Sequence, residues 1–295
     1  MLPSVFGRRL FLLFGASQLF TTVQAQNEYS LRYVPDVPSR VNLISRSEIT
    51  MTVLPTGQAL LDTLTIEATR LESATVFTDA SANDRFTLVV QYDSVRARMR
   101  PRGGLWQQLE VRADEVATVR AVVDGRMRVL QAEFIDRPHL QASKSHMTRG
   151  LSGGVLFALP SDPVSLSEPW TVDVAYPLSC LRGVGQEEGV PNSGELMSRA
   201  TAQIDSLATR GSDTLYYLTV RGSFLAAQFQ ARLSDAPART TALGSFASAI
   251  VWSSAEDAFV SGASRVALRM DVSEPQGEAS SQVRFDVMTR SQVRM

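Results

Sequence analysis

Along most of this chain, apolar residues recur at every second position. In Arg40–Val53, Val41, Leu43, Ile49, Met51 and Val53 share one parity, and Asn42, Arg46, Glu48, Thr50 and Thr52 share the other. In Asp84–Met99, Phe86, Leu88, Val90 and Tyr92 alternate with Thr87, Gln91 and Asp93. A period of two marks a strand with one buried face, because successive side chains point to opposite sides. The same pattern predicts strands at Thr63–Phe77, Trp170–Tyr176, Thr214–Phe224, Phe246–Trp252, Arg265–Val272 and Gln282–Arg290. Val119, Ala121 and Val123 lead into Asp124-Gly125, and Met127 and Val129 continue beyond it. An Asp-Gly pair between alternating runs predicts a hairpin, since both central residues tolerate positive φ. Glu195–Leu207 fits two periods: Leu196, Ala200, Gln203 and Leu207 suit a helix, while Ala200, Ala202 and Ile204 suit a strand. A strand is expected there, because Gly211-Ser212-Asp213 then turns into another clear strand.

The runs are long, and their polar faces are rich in Thr, Ser, Gln and Arg. Antiparallel sheets with one dry and one wet face have this pattern. The expected fold class is all-β and mainly antiparallel, either a large β-sandwich or an open curved barrel, with one short mid-chain helix. That helix is predicted from His139 to Leu151, where Leu140, Lys144, Met147 and Leu151 fall at helical spacing, and Gly153-Gly154 ends it, so that 139–154 is a helix and Gly-rich connector. It would separate an N-terminal β half, 26–138, from a C-terminal β half, 155–295, unless the two form one continuous domain. Gly183–Gly194 and Ser273–Ser281 are expected surface loops. A transmembrane barrel needs aromatic girdles. With 7% aromatic residues and Gln292-Val293-Arg294-Met295 at its end, the chain is not expected to be one.

Residues 1–25 break the alternation in another way. Arg8 and Arg9 precede an apolar stretch that starts at Leu10 and runs to about Phe20, and Val23-Gln24-Ala25 offers a small-x-small cleavage site. This is the layout of a cleaved export signal, and the apolar stretch falls short of the ~20 residues that span a bilayer. Arg8-Arg9-Leu10-Phe11-Leu12 also approaches a twin-arginine signal, although a general secretory signal is the simpler reading. The expected location is periplasmic or extracellular, with no membrane span after cleavage.

Composition then removes whole classes of function. The 295 residues carry 29 Lys+Arg against 30 Asp+Glu, a net charge of -1, which argues against a nucleic-acid binder. With 44% hydrophobic residues the chain is too apolar for intrinsic disorder. The single cysteine, Cys180, excludes an internal disulfide or a thiolate cluster and is expected to be incidental. Lys144 is the only lysine, a bias that carries no functional weight.

Catalytic constellations fail on inspection. Gly150-Leu151-Ser152-Gly153-Gly154 matches G-x-S-x-G, but a nucleophile elbow needs a strand before Ser and a helix after it. His139 and His146 both precede Ser152, with no acid between them and it, so neither triad order is met. On one helix the two His would stand about 10.5 Å apart along the axis, too far to share a metal ion. Asp114-Glu115, Glu187-Glu188 and Glu256-Asp257 are expected to be solvated turn residues. Arg96, Arg98, Arg100 and Arg102 would share one strand face, where a solvated outer row is a simpler reading than an anion site. No catalytic, cofactor-binding or metal-binding residue is assigned, and no cofactor is expected.

Several residues together suggest a family. The chain has Tyr29-Ser30-Leu31-Arg32-Tyr33, the hairpin Val123-Asp124-Gly125-Arg126-Met127, then Leu159-Pro160-Ser161-Asp162-Pro163-Val164 and Trp170-Thr171-Val172. This layout resembles a broad family of uncharacterised secreted or lipid-anchored bacterial β-rich proteins of unknown function. Ser167-Glu168-Pro169 departs from the glycine-aspartate-x that precedes the tryptophan in that family. The likeness covers most of residues 28–290 in layout and is specific around 123–172. It implies an all-β envelope protein and no reaction, with Trp170 as a core anchor.

The function expected from these readings is that of an exported, non-catalytic β-rich envelope protein. Its partner would be a lipid or other apolar small molecule, or an envelope protein, because curved sheets closed by a helix readily leave a concave apolar face. The alternative is a structural or interaction protein without a ligand cavity. A hydrolase is the least favoured reading.

Overall fold

A computed structural model describes residues 27–56, 63–81, 84–111, 116–137, 157–177, 195–233, 236–273 and 280–294. The expected export signal, the carboxylate pairs Asp114-Glu115 and Glu187-Glu188, the helix and Gly-rich connector over 139–154 with His139, His146 and Ser152, Cys180 and the Gly183–Gly194 loop lie outside these residues.

The described residues are all β, with no helix among them. The strands are β1 (Glu28–Tyr29), β2 (Ser39–Thr56), β3 (Leu64–Ser81), β4 (Arg85–Pro101), β5 (Gln107–Leu109), β6 (Val119–Asp124) and β7 (Val129–Phe134). They continue with β8 (Val164–Ser165), β9 (Trp170–Pro177), β10 (Glu195–Arg210), β11 (Asp213–Leu233), β12 (Ala236–Ser253), β13 (Ala258–Ser273) and β14 (Ser280–Arg294). Every predicted strand is present, and Glu195–Leu207 is a strand.

Twelve strands form one antiparallel sheet in the order β7-β6-β4-β3-β2-β14-β13-β12-β11-β10-β9, with β5 added beside β4. The last strand, β14, pairs with β2 over the run from Ser280↔Thr56 to Arg294↔Asn42. This pairing joins the two halves of the chain in one sheet. The outermost strands, β7 and β9, do not pair, so the sheet is not closed into a barrel.

Alternation decides which face is dry. Leu43, Ala74, Phe246, Ile250, Val266, Leu268, Phe285 and Val287 are buried along one face, and all but Leu43 belong to a single apolar cluster. Both wings contribute to it, through Val90, Val119 and Phe134 on one side and Val172, Val174 and Leu196 on the other. Open sheets of this width curl to bury their apolar face. Bulges assist the bend, at Asp93 on β4 and at Leu225-Ala226 on β11, because an extra residue on one strand increases local twist.

Two straps cross one end of the dry face. Residues 27–36 reach from β11, where the Tyr29 and Tyr216 rings stand 5.7 Å apart, to β4, where Tyr33 and Phe86 stand 5.3 Å apart. Those strands are six positions apart, roughly 29 Å in a flat sheet, whereas four extended residues cover roughly 14 Å. Curling closes much of the difference. The second strap, 157–169, pairs with the first through β1 and β8. It inserts Phe157 against Phe259 and Leu159 into the core. Trp170 is half-buried against the core, and its indole N–H donates to the Ala158 carbonyl at 3.4 Å.

The Asp124-Gly125 hairpin is present, but its turn differs from the expectation. The left-handed residue is Met127, at φ 59°, not Gly125. Asp124 holds this longer turn, its Oδ1 accepting from the N–H groups of Arg126 (3.0 Å) and Arg128 (2.9 Å). A side chain that mimics a turn carbonyl removes the need for two positive-φ residues.

Candidate functional site

In the middle of the dry face the alternation continues but the chemistry changes. Counting inward from the apolar ends, β2 places Ser45 and Ser47 where Leu43 and Ile49 set the parity. On β14 the corresponding positions are Thr289 and Ser291, on β13 Ser264 and Gly262, on β12 Ser248, and on β3 Arg70 and Glu72. Register brings these positions side by side. One transverse row runs Ser248↔Ser264↔Thr289↔Ser47↔Arg70 across five strands. The next runs Gly262↔Ser291↔Ser45↔Glu72. The result is a polar island on an apolar floor, flanked along the strands by Ile49, Val266, Val287 and Phe246.

The island is buried. The side chains of Arg70 and Glu72 are 15% and 8% exposed, and they form an ion pair from the guanidinium Nε to the carboxylate. Ser47 and Thr289 share a hydrogen bond of 3.0 Å between their hydroxyls. Ser248, 4% exposed, has a hydroxyl with no hydrogen-bond partner among the described residues. Burying a hydroxyl without a partner costs roughly 1–3 kcal/mol, and a buried ion pair is held only where both charges stay compensated. The unpartnered Ser248 hydroxyl and the buried Arg70–Glu72 charges are therefore a costly arrangement for packing alone.

The predicted candidates sit elsewhere. Arg98 and Arg100 lie on the wet face and are engaged there, their guanidinium carbons 4.5 and 4.6 Å from the Trp106 ring centre. Arg100 Nε also donates to Glu67 at 2.8 Å, and Arg98 Nε to Thr69 at 3.1 Å. Arg102 lies in the turn after β4. Glu256 and Asp257 belong to the turn between β12 and β13. Burial and the nearby charge of Asp36 raise the Asp257 carboxyl above the usual range. Among the described residues no three His, Cys, Asp or Glu side chains converge on a point that would hold a metal ion.

The wet face has shallow furrows where small residues line its floor. One, of about 620 Å³, has Ala249, Ala263 and Ser261 at its base, with Arg46, Arg290 and Asp205 at its rim. Arg290 and Arg46 are directly opposed there, and Arg46 is paired with Glu48. These rims are solvated charges on an open surface, whereas the island is enclosed. The dry face with its island is therefore the candidate site. Its chemistry is suited to holding a molecule: it offers apolar contact area, hydroxyl donors and acceptors, one guanidinium and one carboxylate. No family model matches the chain, and no curated protein is significantly similar to it.

Proposed function

We propose that this is an exported, non-catalytic protein that binds an amphipathic small molecule on the dry face of its open sheet. The observation that carries this reading is the polar island. A wide apolar floor with a few convergent polar groups at its centre is the general form of a small-molecule site. The apolar positions take the tail, and Arg70, Glu72 and the hydroxyls of Ser45, Ser47 and Thr289 face the polar end. The Arg8-Arg9 cluster, the apolar stretch behind it and Val23-Gln24-Ala25 support export, which would place the protein among lipids and other envelope amphiphiles.

Native mass spectrometry of protein purified from its own cells, followed by solvent extraction, tests the proposal. The expected result is a discrete mass adduct that extracts as an amphiphile. A clean apo mass under gentle conditions, together with no uptake of added long-chain amphiphiles, would sink it and leave the structural or partner-binding alternative.

A further inference from the structure

We infer that the island selects an amphiphile with a zwitterionic head. This rests on the binding function proposed above and deepens it. Arg70 and Glu72 are two residues apart on one strand face, so their backbones are roughly 7 Å apart and their charges are opposite. A singly charged head that docked there would meet one attractive and one repulsive group. If it displaced the Arg70–Glu72 contact, it would leave one buried charge uncompensated, which is strongly destabilising. A head carrying both an anion and a cation exchanges the internal pair for two ligand pairs, anion to Arg70 and cation to Glu72. Every buried charge stays paired.

The hydroxyls complete the match. Ser45 stands opposite Glu72, and Ser47 stands opposite Arg70 and touches Thr289. Each hydroxyl both donates and accepts. They complement the extra oxygens of a phosphate or carboxylate without adding charge. The unpartnered Ser248 hydroxyl, at the far end of the same row, calls for a polar atom from outside the described protein residues. The tail direction follows from the straps. Tyr29, Tyr33, Phe157 and Leu159 fill the end of the dry face beyond Leu43. The tail therefore runs the other way, along Val287, Phe285, Leu268 and Met51 toward the opposite hairpins.

The test compares three amphiphiles with one identical single acyl chain: a lysophosphatidylethanolamine, the free fatty acid and the monoacylglycerol. Binding to the full chain is measured by titration calorimetry below the micellar concentration. Wild type is expected to prefer the zwitterion by about tenfold or more. The neutral double variant Arg70→Gln/Glu72→Gln, checked for folding by circular dichroism, is expected to keep tail binding and bring the three within about twofold. The single variant Glu72→Gln, which leaves one cation, is expected to move the preference to the fatty acid. Equal binding of all three by wild type, or a preference that survives in the double variant, overturns the headgroup assignment but leaves the binding function standing. Binding of none of the three overturns both.

Discussion

The ring of Phe246 occupies the place where Gly222, its directly opposed partner on β11, has no side chain. A Cβ built on Gly222 would stand 2.8 Å from Phe246 Cε1 and 2.9 Å from Ala200 Cβ. Two residue pairs further along, the order reverses, with Phe224 on β11 opposite Gly244 on β12. The two rings meet at 5.1 Å, and Phe246 covers Gly222, whereas the space over Gly244 is taken by Leu268, whose Cδ2 would stand 2.5 Å from an added Cβ. Glycine weakens a strand, and an aromatic laid over it restores the packing.

These glycines differ in what an added methyl would strike. At Gly244 the Cβ would lie 2.3 Å from the Ala267 carbonyl oxygen, a backbone atom of the central β13 strand. At Gly222 the nearest atoms belong to side chains. Gly244→Ala is expected to destabilise the fold by about 3 kcal/mol, and Gly222→Ala by about 1–2 kcal/mol. Urea unfolding of the two variants checks the order, and a smaller loss at Gly244 would contradict this account of the packing.

The Arg70–Glu72 pair is expected to behave as a buried pair. Arg70→Met leaves Glu72 charged without its partner and is expected to cost about 3 kcal/mol or more. Arg70→Met/Glu72→Leu removes both charges and is expected to lie within about 1 kcal/mol of wild type. A double-mutant cycle in chemical denaturation measures the coupling. Additive losses would mean that the two charges do not depend on one another.

Two turn carboxylates predict the acid limb of the stability curve. Partial burial opposes ionisation of Asp124, but the Arg128 and Arg126 backbone N–H groups and the Arg128 guanidinium outweigh it and hold its carboxyl below the usual range. At Asp213 desolvation is likewise outweighed, by the Ala255 N–H and the Ser253 and Ser254 hydroxyls, and that carboxyl too is held low. A depressed folded pKa stabilises the fold above the ordinary carboxylate value of about 3.9, and this contribution is lost as pH falls through the folded value. Wild type is therefore expected to lead Asp124→Asn and Asp213→Asn in Tm at neutral pH, and the gap should narrow as the pH drops below about 4. A gap that holds constant to the lowest accessible pH would assign the effect to packing.

Export makes its own prediction. In the native host the mature protein is expected to begin at Gln26, after Ala25. N-terminal sequencing of the envelope fraction measures this. Substituting Ala25 with a bulky residue should leave the precursor uncleaved. A cytoplasmic protein that begins at Met1 would remove the export half of the proposal.

Much of the fold was legible before the structure, because alternation is local. Leu196, Ala200, Ala202 and Ile204 are all buried on one side of β10, the face that period two picks out. The hairpin at Asp124 was legible as well, although the reason for it was not. The dipeptide suggested two positive-φ residues, but a carboxylate accepting two N–H groups moved the left-handed residue to Met127. The basic row at Arg96, Arg98 and Arg100 was visible as a wet strand face, but its stacking on Trp106 depends on where β5 returns beside β4.

The candidate site was present in the sequence only as interruptions. Ser45 and Ser47 sit inside the Val41–Val53 run at apolar parity, and Ser248 sits between Phe246 and Ile250 in the same way. Each interruption alone is an unremarkable serine in a strand. They become a site because Ser47 meets Thr289, 242 residues further along, and because β13 and β3 present Ser264 and Arg70 at the same height. The sequence by itself determined the strands and their dry faces, since each depends on neighbours one or two residues away. Only the tertiary structure decided that the two halves share one open sheet and that scattered polar residues gather on its dry face. Strand register is set by pairing across the whole chain, and no local period encodes it.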